Sequence, residues 1–133
     1  MQYAVPRRGV PSAASLRKWA ALVPLEATLR IVGAREGREL NRVFRGRDYA
    51  TNVLSFAYDR ERGDIVLCHP VIAREAQAQG KTLAAHYAHL VLHALLHLRG
   101  YGHEKKQEAE RMARAEVRLL ARAGFADPYR TVE

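Results

Sequence analysis

Three histidines, His93, His97 and His103, lie within the run HALLHLRGYGH and have the type and spacing to hold one metal ion. His93 and His97 are four residues apart, so a helix stacks them on one face with both rings reaching toward the same point. Gly100 offers the left-handed turn that ends such a helix, letting the chain double back and bring in His103 as a third ligand. Three neutral imidazoles leave the fourth tetrahedral position of a zinc ion open, which is the arrangement of a catalytic site rather than a structural one. Zinc is expected over other metals because every ligand is an imidazole, with nickel or copper as adventitious substitutes.

The element that must carry these residues is a long helix, capped by Thr82 and running to about Arg99. His86, His89, His93 and His97 fall on one stripe of it, within about 80° of arc at roughly 100° per residue. Leu90, Leu92, Leu95, Leu96 and Leu98 form its apolar body. His86 and His89 read equally well as outer partners of the metal site, as substrate contacts or as plain helix surface. Around this helix the pattern gives a Ser12-capped helix with Leu16, Trp19, Ala20 and Val23 inward and Pro24 as its stop. A strand over 25–32 follows, then a helix over 34–44 with Leu40, Val43 and Phe44 toward the core. Strands over 51–58 and 64–69 form an antiparallel hairpin across RERG. Pro70 opens a helix that Gly80 closes. The last helix covers 104–124, with Ala109, Met112, Ala113, Val117 and Leu120 as its apolar stripe. Helix, strand, helix, hairpin and then helices is the order of an α+β fold.

Composition narrows the function classes. With 133 residues the chain reads as one domain, 1–133, and its 48% hydrophobic and 27% charged residues are those of a globular protein. No apolar run approaches a membrane span, and the first residues lack a signal-peptide core. A single cysteine, Cys68, excludes an internal disulfide and reads as a buried small hydrophobe at a strand end. The expected location is cytoplasmic, with no membrane partner. The net charge of +8 is unevenly placed: residues 1–50 hold ten Lys/Arg against four Asp/Glu, and residues 51–133 hold twelve against ten. Genome composition can account for the preference for arginine over lysine, but not for that asymmetry. A basic half suits a polyanionic partner, since the arginine fork binds two phosphate oxygens at once.

The pattern HxxxHxxGxxH has the ligand spacing of the metzincin peptidases, whose HExxH glutamate is the general base. Here that position is Ala94, which cannot take a proton from water, so peptidase chemistry of that kind lacks its base. Taken with NRVFRGRDYATNVLSF (41–56), GDIVLC (63–68) and the acidic start of the last helix, HALLHLRGYGH resembles the YbeY family of bacterial endoribonucleases. These blocks stand in the family's order and cover most of residues 25–124. The resemblance implies a zinc-dependent, single-strand-specific endoribonuclease acting in ribosomal RNA maturation, at the 3′ end of 16S rRNA, and in ribosome quality control. It also implies the small ribosomal subunit and its maturation factors as partners. The implied fold is a small mixed β-sheet of about four strands covered by helices, with a metzincin-like metal-bearing helix.

By the same resemblance the metal ligands fall on His93, His97 and His103, and the family's functional arginine falls on Arg45. Two departures stand out. Gly102 replaces the acid of the family's GYDH, and the segment YDRER between TNVLSF and GDIVLC is short. Cleaving a phosphodiester places extra negative charge on its non-bridging oxygens. An open metal position can meet that charge from one side and Arg45 from the other. The competing reading of Arg45 is a surface pair with Asp48. Ala94 and Gly102 leave the proton acceptor open; Glu104 is the nearest carboxylate in sequence, though it also suits the first turn of the last helix. Thr51, Asn52 and Ser55 can bond substrate, Thr51 and Asn52 can equally fix the loop of Arg45, and Tyr49, Tyr58 and Tyr101 can stack on unpaired bases. Two other function classes compete with the nuclease: a ribosome-associated RNA-binding module with a structural zinc, and a metallopeptidase.

Overall fold

The computed structural model describes residues 1–102 and 104–129. Its elements are β1 (Gln2–Tyr3), α1 (Ala13–Ala20), β2 (Glu26–Val32), α2 (Ala34–Arg45), β3 (Val53–Ala57), β4 (Arg62–Cys68), α3 (His69–Ala78), α4 (Leu83–Leu98) and α5 (Lys106–Arg122). The four strands form one mixed sheet in the order β1-β2-β4-β3. β2 runs parallel to both β1 and β4, while β3 pairs antiparallel with β4 as the expected hairpin. The two-residue β1 was not foreseen; it is too short to show any period.

Alternation along the strands divides the core in two. Leu29 pairs with Ile65 and Ile31 with Leu67, and all four side chains face the main core with Leu16, Trp19 and the α4 leucines. The intervening residues turn to the opposite face, where Val32, Leu54, Val66, Cys68 and Val71 make a smaller cluster that also takes Leu40 of α2. The sheet is therefore covered on both sides.

The caps follow the sequence. The Ser12 hydroxyl accepts from the Ser15 N–H at 3.1 Å, and the Thr82 hydroxyl accepts from the Ala85 N–H at 3.1 Å. α4 lies in the core and buries Tyr87, Ala88, Val91, Leu92 and Leu95 among others, which is why its residues outside the histidine stripe are apolar or aromatic.

Two expected faces are corrected. On α2, Val43 and Phe44 are each 56% exposed. The inward residues are instead Gly37 and Asn41, with Leu40 at their edge. Gly37 lies so close to Cys68 that a Cβ there would sit 2.9 Å from Sγ. Asn41 is buried because its side chain donates to the Tyr49 carbonyl at 2.8 Å, which holds down the loop after the helix. On α5 the buried residues are Met112, Ala115, Glu116 and Leu120. The inward stripe is rotated from the expected one and contains a carboxylate.

Candidate metal centre and phosphate cleft

α4 brings its histidines to one face, as the spacing requires, and delivers His93 and His97 to its last two turns. The helix ends in a Schellman turn: the Gly100 N–H donates to the His97 carbonyl and the Tyr101 N–H to the Leu96 carbonyl, both at 3.0 Å. Gly100 has φ 102°, a conformation any side chain would strain. The chain thus reverses immediately after His97. His103 lies outside the described residues, and among the described residues no three ligand-type side chains form a metal-holding group.

The donor chemistry nevertheless fits a metal. His93, with its side chain 34% exposed, places Nδ1 2.8 Å from Oε1 of Glu116. Glu116 is only 1% exposed. A metal-binding histidine ordinarily gives its second ring nitrogen to such a carboxylate. The same Oε1 lies 3.0 Å from His89 Nε2, and the Tyr129 hydroxyl donates to Oε2 at 2.6 Å. Burial alone would raise the Glu116 carboxyl, but the hydrogen bonds from His89, His93 and Tyr129 outweigh it and hold the group down at about 2. A carboxylate oxygen accepts, so Nδ1 of His93 and Nε2 of His89 are the ring atoms placed to donate to it.

Neither upstream histidine is plain helix surface. His86 is 4% exposed, and its Nε2 lies 3.0 Å from Glu75 Oε1, which also accepts from the Asn52 amide at 3.0 Å. That bridge joins α4 and α3 to the segment entering β3. Asn52 therefore fixes the chain between Arg45 and the strand, the second of the two roles open to it in the sequence.

Arg45 is the last residue of α2, and its side chain runs to β3. Nη2 donates to the Ser55 carbonyl at 2.8 Å, and the guanidinium lies 4.8 Å from the centre of the Phe56 ring. Asp48 does not pair with it: both Asp48 oxygens are taken by Arg38, at 2.8 and 2.9 Å. Arg45 instead lines a cavity of about 440 Å³ together with Asn41, Arg47, Tyr49 and Thr51. Two arginines, a tyrosine and a threonine in one concavity suit a phosphate beside an unpaired base. Tyr58 instead bonds Asp64, and Tyr101 lies under Arg111 with 5.3 Å from guanidinium to ring centre.

The carboxylates around the turn also differ from expectation. α5 begins at Lys106, so the acid of its first turn is Glu108 and Glu104 lies outside the helix. The Glu108 side chain lies over Gly102: a Cβ at 102 would sit 2.5 Å from Glu108 Oε2. The space of the missing acid is thus filled by another carboxylate. Cys68 is buried, and that burial pushes its thiol pKa up, which is the state of an inert cysteine.

The family model described as Endoribonuclease YbeY matches residues 11–124. The chain belongs to the YbeY family of endoribonucleases. It is 49% identical to the Endoribonuclease YbeY of Stenotrophomonas maltophilia (strain R551-3), with 97% of this chain and 91% of that protein covered. With the Endoribonuclease YbeY of Aromatoleum aromaticum it shares 54% identity over 90% of this chain and 81% of the relative. The solution structure of a Thermotoga maritima protein superposes with a TM-score of 0.62 at 25% identity, covering 98% of each chain. The α+β architecture with its four-stranded mixed sheet agrees with the fold expected of YbeY proteins. No helix among the described residues is long and apolar enough to cross a membrane.

Proposed function

We propose that this chain is a zinc-dependent endoribonuclease that cuts single-stranded RNA, with His93, His97 and His103 as metal ligands and Arg45 as the clamp on the scissile phosphate. The observation that carries the reading is the His93 ring held at Nδ1 by a buried carboxylate, at the end of a helix that also bears His97. Such an arrangement has little use in a plain core helix and suits a metal ligand. When bound, the ion supplies a Lewis acid for phosphate and lowers the pKa of water to around 7.

The chain's own residues do the rest. Arg45 and Arg47 line one cavity, where a guanidinium fork can hold two phosphate oxygens and stabilise the charge that builds during cleavage. Tyr49, on the same wall, offers a ring to an unpaired base. Ala94 is buried and carries no acid, which disfavours metzincin-type peptide hydrolysis. Glu108, over Gly102, is the carboxylate we assign to accept a proton at Oε2. The substrate in this reading is ribosomal RNA, at the 3′ end of 16S rRNA, in a cytoplasmic setting with the small ribosomal subunit and its maturation factors as partners.

The test is incubation of the purified, zinc-loaded protein with single-stranded RNA, duplex RNA and casein. Cleavage of the single strand alone is expected. RNA binding without cleavage would replace the reading with an RNA-binding module whose zinc is structural, and casein hydrolysis would replace it with a peptidase.

A further inference from the structure

Glu116 is given no contact with substrate or metal in the chemistry just described, yet it is the one charged residue among the buried residues of α5. A carboxylate taken out of water costs several kcal/mol unless its oxygens are satisfied. Here one oxygen faces His93 Nδ1 at 2.8 Å and His89 Nε2 at 3.0 Å, and the other accepts from the Tyr129 hydroxyl at 2.6 Å. Tyr129 reaches this point by a defined route. α5 ends in a second Schellman turn, with the Gly124 N–H on the Ala121 carbonyl and the Phe125 N–H on the Leu120 carbonyl. Phe125 then packs edge-on against Trp19 with ring centres 5.6 Å apart, and Asp127 accepts the Tyr129 N–H at 2.8 Å. The Tyr129 ring meets His89 edge-on at 5.5 Å.

We propose that Glu116, buttressed by the Tyr129 hydroxyl, is a positioning residue that fixes the His93 ring with Nδ1–H on the carboxylate and Nε2 toward the metal. The segment after α5 then acts as a latch on the metal site, although it touches neither substrate nor metal. The inference rests on the metal reading above, but its core is a statement about one imidazole ring that holds without metal. Two donors besides His93 share the carboxylate, so it cannot swing away to follow the ring. The ring must follow the carboxylate. Removing Tyr129's hydroxyl loosens the carboxylate without touching the histidine, and this separates a latch from a simple pair.

The experiment compares the wild type with Glu116→Gln and Tyr129→Phe by two measurements. The first is nitrogen-15 NMR of the His93 imidazole in metal-free protein, which reports the tautomer. The second is zinc affinity by competition with a chromogenic chelator. The wild type is expected to hold the Nδ1–H form, Glu116→Gln to show a mixture, and zinc affinity to fall about tenfold or more in Glu116→Gln. Tyr129→Phe is expected to lose about threefold in affinity, a fraction of the outer-partner effect. An unchanged His93 tautomer in Glu116→Gln would overturn the proposal, as would unchanged zinc affinity in that folded variant. If the wild type itself binds no zinc, the metal reading fails while the tautomer measurement still decides the role of Glu116. Should Glu116→Gln fail to fold, Tyr129→Phe carries the test, and wild-type affinity and tautomer in that variant would refute the latch.

Discussion

Replacing Arg45 separates catalysis from architecture. In the structure its guanidinium makes one good hydrogen bond, to the Ser55 carbonyl at 2.8 Å, and one ring contact, 4.8 Å from the centre of Phe56. Both are at the surface. An exposed cation–π contact contributes about 0.5–1 kcal/mol, and a hydrogen bond that water can replace about 1 kcal/mol or less. Arg45→Met should therefore cost no more than about 2 kcal/mol of the 5–15 kcal/mol typical of a folded domain. That is a drop of roughly 6–10 °C in Tm for a chain of this size, so the variant remains folded at 25 °C. Removing a group that stabilises charge in the transition state costs about a hundred- to a thousandfold in rate. Arg45→Met should thus lose two to three orders of magnitude in cleavage of a fluorogenic single-stranded RNA, and Arg45→Glu all measurable cleavage, both with normal zinc content. The assays are initial rates, urea denaturation and elemental analysis on the same preparations. Cleavage within threefold of wild type would refute the clamp. A loss that tracks the unfolded fraction would refute it equally, by making Arg45 a structural residue.

Glu108 carries the second prediction. Glu108→Gln should lower the cleavage rate about tenfold to a hundredfold at unchanged zinc content, the range of general-base contributions or somewhat below. In a Glu108→Ala background, where the side chain over the turn is removed, Gly102→Asp should restore part of the rate because the new carboxylate enters the vacated space; an unchanged rate in Glu108→Gln removes Glu108 from the mechanism. His69 carries a third. Burial lowers its pKa below the ordinary 6.5, while Nδ1 lies 2.7 Å from the Tyr87 hydroxyl. The unfolded chain then binds the proton more readily, so stability should fall as pH drops below about 6.5 toward the depressed folded value. His69→Gln should flatten that part of the stability curve in urea titrations of the metal-free protein, and an identical slope in wild type and variant would contradict the assignment.

The parts of the fold that were legible in the sequence were the local ones. Ser12 and Thr82 sit beside the N–H groups they cap, and Gly100 and Gly124 beside the carbonyls their turns satisfy, so a short window contains both partners. The hairpin of β3 and β4 and the histidine stripe of α4 are local in the same sense. The inward face of α2 was not, because Gly37 and Asn41 face the core through contacts with Cys68 and Tyr49, whereas Val43 and Phe44 only look more apolar. Glu116 was hidden for a sharper reason. It is one acid among many charges on α5, and His93 and His89 lie 23 and 27 residues away. No helical period reveals a carboxylate whose partners are on another helix. Position 102 shows the same limit: the sequence records a missing acid, and only the packing of α5 against the turn reveals Glu108 over it.

The central claim is that one metal ion held by His93, His97 and His103 is required for RNA cleavage. The most direct measurement is the cleavage rate of chelator-stripped, untagged protein during titration with zinc. The rate should be negligible at the start, rise in proportion to added zinc and level off at one equivalent per chain, with no rise in His97→Ala. Full cleavage by the stripped protein, or zinc uptake that leaves the rate at zero, would contradict it.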